Sequence, residues 1–255
     1  MSQYILQNEN QKIIYFKDSI DFNLDDYANN VIYDFCYKNI KTKLYKKRVR
    51  LSIIIDLEKD IDFIFKNFKP NTRNEINKAI KLNLTVNNNI DLMDLFQKHN
   101  KMLESKGLEK INKSFYLGLP QNPVITGISV CGGVIHSYIT DEEKKIVFLY
   151  SSVSNFRNMD NEERKIIGYA NRYLTYKDII YFKEKGYKYY DLGCVGFEDE
   201  YKRKELKIWP IVMFKQSFGG ELTKYYQYIP SSKNLRKICK IINKINYFIK
   251  RIMNK

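Results

Sequence analysis

The sequence predicts a mixed α/β fold, an α+β sheet with helices packed on it, and three observations carry that prediction. Alternating stretches run from Val124 to Val130, Val134 to Thr140 and Lys145 to Val153, joined by Gly132-Gly133 and the acidic turn Asp141-Glu142-Glu143, which reads as an antiparallel meander. A long helical stretch from Glu162 to Lys185, stopped by Gly186, then leads into a strand from Tyr187 to Leu192. After Gly219-Gly220, Glu221 to Tyr228 returns as a further strand.

The earlier elements follow from the same periodicities. Ile13 to Phe16 suits a short strand, Leu24 to Tyr37 a helix, and Val49 to Leu57, rich in β-branched residues, a strand. Ile61, Ile64, Phe65 and Phe68 share one face of a helix over Glu58 to Phe68. Pro70 stands in the favoured first turn of a second helix that runs to about Leu82. Ile90 to Ser105 repeats Leu92, Leu95, Phe96, His99 and Leu103 and stops at Gly107. Asp199 to Ser217 reads as part loop, part helix, with Pro210 inside it. The expected organisation is an N-terminal α/β portion over 1–110, a core over 111–230 and a basic amphipathic helix over 231–255.

A chain of 255 residues buries enough surface to fold without disulfides. Its four cysteines, Cys36, Cys131, Cys194 and Cys239, are far apart, with neither a C-x-x-C pair nor a nearby histidine. No metal is expected. With no long apolar run and no leader-like start, the expectation is a cytoplasmic protein, peripheral at most to the inner face of a membrane.

The formal charge of +15 fits either an A+T-biased genome rich in Lys, Asn and Ile or an anionic partner such as tRNA or acidic lipid. Its distribution is uneven, since Lys233, Arg236, Lys237, Lys240, Lys244, Lys250, Arg251 and Lys255 fall after Ser231 with no acid among them. Leu235, Ile238, Ile242, Ile245, Ile249 and Ile252 recur there at helical steps. Two readings stand: the apolar face covers the core, or it lies in an anionic headgroup layer.

The stretch from Ile166 to Gly220 carries a resemblance. It holds Asn171 to Leu174 as N-x-x-L, Tyr190 to Gly193 as Y-D-L-G, and Phe214 to Gly220 as F-K-Q-S-F-G-G. Thr72 to Leu82, TRNEINKAIKL, adds an R-x-x-I-x-K-A echo. In these pieces the chain resembles the GNAT superfamily, in its FemAB-like branch, with one departure: Cys194 stands where the branch has a second glycine. The resemblance implies a GNAT-like fold that moves an acyl or aminoacyl group from a thioester or a tRNA ester onto an amine of a nucleotide- or lipid-linked sugar or a peptide stem. GNAT enzymes that use acetyl-CoA place a glycine-rich pyrophosphate turn before the long helix; here SNFRNMDNEER stands instead, leaving Arg157 and Arg164 as phosphate ligands.

Attack on a carbonyl needs a neutral nucleophile, a stabilised oxyanion and an acid for the leaving group. Asp191 is the candidate base or amine-orienting group, or else a cap for the following turn. Tyr190 is the candidate proton donor, or else core packing, and Lys215 stabilises an oxyanion or a phosphate unless it is merely solvated. Asn171 contacts substrate or bonds inside the core. Gly193, Gly219 and Gly220 permit turns or close ligand approach, with Phe218 beside them in the motif. Arg73 and Lys78 can meet an anionic acceptor. His99 and His136 have no partner visible in sequence.

The leading reading is transfer from acyl-CoA or acetyl-CoA to an amino sugar of an envelope polysaccharide precursor. The alternatives are transfer from aminoacyl-tRNA to an envelope precursor, and a non-catalytic module that binds a membrane surface.

Overall fold

In a computed structural model, the structure describes residues 4–8, 11–17, 24–117, 123–131, 133–157, 159–232 and 237–245. Chain order is β1 (Tyr4–Asn8), β2 (Gln11–Tyr15), α1 (Leu24–Ala28), β3 (Ile32–Cys36), β4 (Tyr45–Asp56), α2 (Ile61–Asn67), α3 (Pro70–Lys81), α4 (Leu92–Ser105) and α5 (Ser114–Leu117). β5 (Val124–Ile128), β6 (Val134–Asp141) and β7 (Ile146–Ser154) form the expected meander, followed by α6 (Asn161–Glu184), β8 (Tyr189–Phe197), α7 (Glu198–Lys202), α8 (Trp209–Gln216) and β9 (Glu221–Pro230). The described strands form one sheet of nine, ordered β1-β2-β3-β9-β4-β8-β7-β6-β5. β4 from the N-terminal portion is thus hydrogen-bonded between β8 and β9 of the core portion.

Alternation along β4 sorts the two faces of the sheet. Leu51, Ile53 and Ile55 pack with Ile64, Phe68, Ile76, Ile179, Phe182 and Val212 under the helices. Between them, Arg50, Ser52 and Ile54 point the other way, where Ile54 joins Tyr15, Phe35, Phe148 and Tyr225. β7 and β8 are the parallel neighbours joined by α6, as a crossover requires.

One expected element is corrected. Leu24 to Tyr37 is not one helix: α1 ends at Ala28, Asn30 adopts φ 57°, and β3 follows, paired to β2 and β9. A left-handed residue ends the helix, and the β-branched and aromatic run Val31-Ile32-Tyr33 favours a strand once partners exist on both sides. β1 was not expected, and β8 runs five residues past Leu192.

In the C-terminal segment, 237–245 is helical. Cys239 joins the small core of Tyr27, Ala28, Tyr45 and Tyr228, but Ile238, Ile241, Ile242 and Ile245 are 39–58% exposed, so this face does not cover the core. Leu235, Ile249 and Ile252 lie outside the described residues. Among the described residues no helix is long and apolar enough to cross a membrane.

Candidate active site at the parting of two parallel strands

β7 and β8 pair only at Ile146↔Tyr189, Val147↔Tyr190 and Phe148↔Asp191, although β7 continues to Ser154 and β8 to Phe197. Beyond Asp191 the strands part. In β7 the register against β6 shifts between Ser137↔Ser151 and Tyr138↔Leu149, leaving Tyr150 as a bulge that bends the strand at this point. A cavity of about 340 Å³ opens there, and its lining includes Asp34, Arg50, Tyr150, Ser151, Cys194 and Lys215.

Asp191, at the last paired position before the parting, is 0% exposed. Its carboxylate accepts from the Ser52 hydroxyl, from the Gly193 backbone N–H at 2.7 Å and from the Tyr225 hydroxyl at 2.6 Å. Burial pushes its pKa up, while those donors and the charge of Lys215 pull against the rise. The bond to Gly193 is the turn cap that the sequence offered as an alternative role, and the buried carboxylate is also coupled to the lysine.

Lys215 reaches the same place from α8. Its Nζ donates to the Cys194 carbonyl at 3.0 Å, and burial pushes its pKa down to about 8, opposed by the charges of Cys194 and Asp191. Both shifts run toward the neutral form, as desolvation requires, and put a lysine proton within reach of neutral-pH chemistry. Gly193 makes the approach possible: at φ 79° a Cβ here would lie 2.5 Å from the Leu149 carbonyl oxygen and 3.2 Å from Lys215 Nζ.

Sequence reasoning missed the other cation of the cleft. Arg50 Nε sits 2.8 Å from Asp34, whose second oxygen accepts from Gln227 at 2.8 Å. Arg50 Nη1 also donates to Cys194 Sγ at 3.6 Å. The signal was present, since alternation in VRLSIIIDL places Arg50 and Ser52 on one face of β4. Asp34, Ser52 and Tyr225 come from strands distant in sequence, and no local pattern marks them.

A second missed feature is a chain of hydroxyls. His99 Nδ1 lies 2.6 Å from the Tyr116 hydroxyl, which is 2.9 Å from Ser151 Oγ in the cleft wall, and Ser151 Oγ is 2.6 Å from Ser137 Oγ. Burial, with Lys106 nearby, pushes the His99 pKa down to about 4. The imidazole is therefore neutral at physiological pH and serves as a fixed end for the chain.

The remaining candidates lie elsewhere. Tyr190 alternates to the helix side of β8 and is also 0% exposed; its hydroxyl is 2.7 Å from that of Tyr138, which donates to Asp178 at 2.5 Å. This is the core-packing role that the sequence offered as its alternative to proton donor, for consecutive residues of one strand point to opposite faces and Tyr190 cannot share that of Asp191. Asn171 belongs to the same internal network, its Oδ1 3.0 Å from His136 Nε2, while His136 Nδ1 lies 2.9 Å from Asp178. Asn171 thus takes the core-bonded of the two roles the sequence offered, and His136 has the partner that the sequence did not reveal.

Phe218 is 1% exposed, packed between Phe68 and Phe214, and with Gly219 and Gly220 it lines a different cavity of about 630 Å³ at the opposite ends of β7 and β8. Gly219, at φ 73°, brings the chain against the Asn67 carbonyl. These three residues are thus separated from Asp191 and Lys215. Arg73 is spent on backbone, its Nη1 donating to the carbonyls of Lys66 at 2.6 Å and Phe68 at 2.5 Å. Lys78 donates to the Tyr169 hydroxyl at 3.4 Å, away from the cleft.

Arg157 and Arg164 flank the start of α6 and are exposed, with Arg164 Nη2 donating to the Arg157 carbonyl at 3.0 Å. The helix start itself is closed: Asp160 accepts from the Glu163 N–H at 2.9 Å, and Glu163 accepts from the Asp160 N–H at 3.2 Å. With Glu162 the helix start carries three carboxylates, one of which takes the Glu163 N–H, and their negative charge lies at the positive dipole end that a pyrophosphate needs. Among the described residues no cluster of His, Cys, Asp or Glu suits a metal ion.

An antiparallel meander whose last strand is joined through a crossover helix to a parallel neighbour, the two parting midway, defines the class: the fold is GNAT-like. Solved structures agree on the fold. The C-terminal domain of a lysylphosphatidylglycerol synthetase from Agrobacterium fabrum is similar with a TM-score of 0.58 at 12% identity, over 92% of this chain and 82% of that one. L-PGS from Bacillus licheniformis follows at 0.54 and 11%, over 93% and 83%. FemX gives 0.57 and 10%, over 92% and 85%. No family model matches the chain, and no curated protein matches its sequence.

Proposed function

We propose that this chain is an aminoacyl transferase that takes its donor from a tRNA ester and passes the aminoacyl group to a nucleophile on an envelope precursor. The observation that carries the reading is Lys215 at the parting of β7 and β8, with its pKa down to about 8 and the charge of the buried Asp191 acting on it. In this reading the acceptor's nitrogen or hydroxyl attacks the ester carbonyl, and the Lys215 ammonium faces the developing oxyanion. As the ester C–O bond breaks, Lys215 gives its proton to the departing ribose oxygen, and the nucleophile's proton leaves to solvent. The charge of Asp191 helps hold Lys215 protonated until that step.

The tRNA donor is favoured over acyl-CoA for a physical reason. The carboxylates closing the start of α6 repel a pyrophosphate where GNAT enzymes that use CoA hold one, whereas a tRNA end needs only a basic approach and a cleft for the ester. The names of the structural neighbours, FemX and lysylphosphatidylglycerol synthetase, support an aminoacyl group and a lipid-linked or envelope acceptor.

The test pairs binding with turnover. Titration with aminoacylated tRNA is expected to show binding that weakens steeply with salt, and acetyl-CoA is expected not to bind. Saturable acetyl-CoA binding with no response to charged tRNA would overturn the donor assignment.

A further inference from the structure

The C-terminal helix carries a surface that the cleft does not account for. With about 100° of turn per residue, Ile238, Ile241, Ile242 and Ile245 fall within an arc of about 100°. Lys237, Lys240 and Lys244 fall within a neighbouring arc of about 60°, and Cys239 and Asn243 lie on the third side. The third side faces the body, where Cys239 packs into the Tyr27, Tyr45 and Tyr228 cluster and Asn243 Nδ2 donates to Asp25 at 3.2 Å. The other two arcs face outward: the isoleucines are 53, 58, 39 and 53% exposed in sequence order, and all three lysines are exposed. At the root of the helix, the exposed Lys46 and Lys47 pair in register with Ile229 and Tyr228 of the strand that feeds it.

We propose that this helix lies on an anionic lipid surface, its isoleucine arc in the headgroup boundary and its lysine arc against lipid phosphates. The inference goes beyond the cleft and needs no assumption about the reaction. Charge complementarity selects the occupant. A second copy of the chain would set lysine arc against lysine arc, while an anionic bilayer takes both arcs at once, the lysine stems running along the apolar boundary to reach the phosphates. The sequence repeats the pattern in Ile249, Lys250, Arg251 and Ile252 and supplies eight basic residues and no acid after Ser231.

Co-sedimentation of the full chain with vesicles of equal parts phosphatidylglycerol and phosphatidylcholine, against phosphatidylcholine alone, tests it. Binding is expected to the anionic vesicles and to weaken with salt. Ile241→Asn with Ile245→Asn should lower it at least about tenfold. Lys240→Gln with Lys244→Gln should also cost about tenfold on anionic vesicles and little on neutral ones. All four positions are exposed, so circular dichroism and the thermal unfolding midpoint should stay nearly unchanged. The proposal is overturned by absent binding, by equal binding to neutral vesicles, by full binding of the isoleucine variant, or by a dimer in sedimentation equilibrium that the isoleucine variant abolishes.

Discussion

Tyr190 and Asp191 are consecutive, both fully buried and both hydrogen-bonded, yet they belong to different regions of the molecule. Tyr190 faces α6 and closes an internal network with Tyr138, Asp178, His136 and Asn171, in which every named partner is another buried or half-buried side chain. Asp191 faces the other way, to Ser52, Tyr225 and Gly193, and through its charge to a lysine on a cavity wall. The first arrangement fixes α6 on the sheet. The second couples a buried charge to solvent-accessible space. Burial and hydrogen bonding are common to both residues; what distinguishes Asp191 is its place where β7 and β8 part.

The comparison can be broken most sharply at Lys215. Lys215→Met should lower turnover of aminoacylated tRNA by about 10²–10³, the scale of a lost oxyanion-type donor, with tRNA binding nearly unchanged. A turnover within twofold of the wild type removes chemistry from the cleft side. Next in size is a pH effect on stability. His99 has a folded pKa of about 4, below its unfolded value, so the unfolded chain takes up a proton first and stability falls as pH drops from about 6.5 to about 4. The full shift corresponds to up to about 3 kcal/mol. Urea titrations at pH 7 and pH 4.5 should show less acid destabilisation in His99→Gln, and identical pH dependence would contradict a neutral buried imidazole.

Gly193→Ala should cost about 2 kcal/mol or more, because it adds left-handed strain and drives a Cβ to 2.5 Å from a backbone oxygen. Thermal unfolding measures it, and an unchanged midpoint would mean that the strands part more widely than described. The smallest effect belongs to the closed side. Tyr190→Phe removes one hydroxyl from the internal network and should cost about 1 kcal/mol of stability, with turnover within about twofold. A tenfold loss of turnover at unchanged stability would return Tyr190 to the reaction and erase the contrast.

Most of the fold was legible in the sequence because periodicity is local. Alternation located β5 to β7, and Pro70, Gly107 and Gly186 marked helix ends that the structure places within a few residues. The failure at Leu24 to Tyr37 is instructive, for β3 is a strand through its pairing with β2 and β9, and β9 lies almost two hundred residues away. The candidate site divides in the same way. Asp191, Gly193 and Lys215 stood in motifs and meet in space, and Phe218 to Gly220, though adjacent to Lys215 in the chain, turn toward another cavity. Arg50, Asp34, Ser52, Tyr225 and the His99–Tyr116–Ser151 chain converge from separate elements, and only the sheet brings them together.

The proposed cleft chemistry is tested most directly by the pH dependence of single-turnover loss of radiolabelled aminoacyl groups from tRNA, with a weakly basic amine that stays neutral across the pH range as acceptor and the uncatalysed rate subtracted. With Lys215 as the proton donor, the wild-type rate falls as pH rises through about 8, and Lys215→Met is slow and lacks that descent. A descent of the same shape and position in both proteins would contradict the account, since the titrating group would then lie elsewhere.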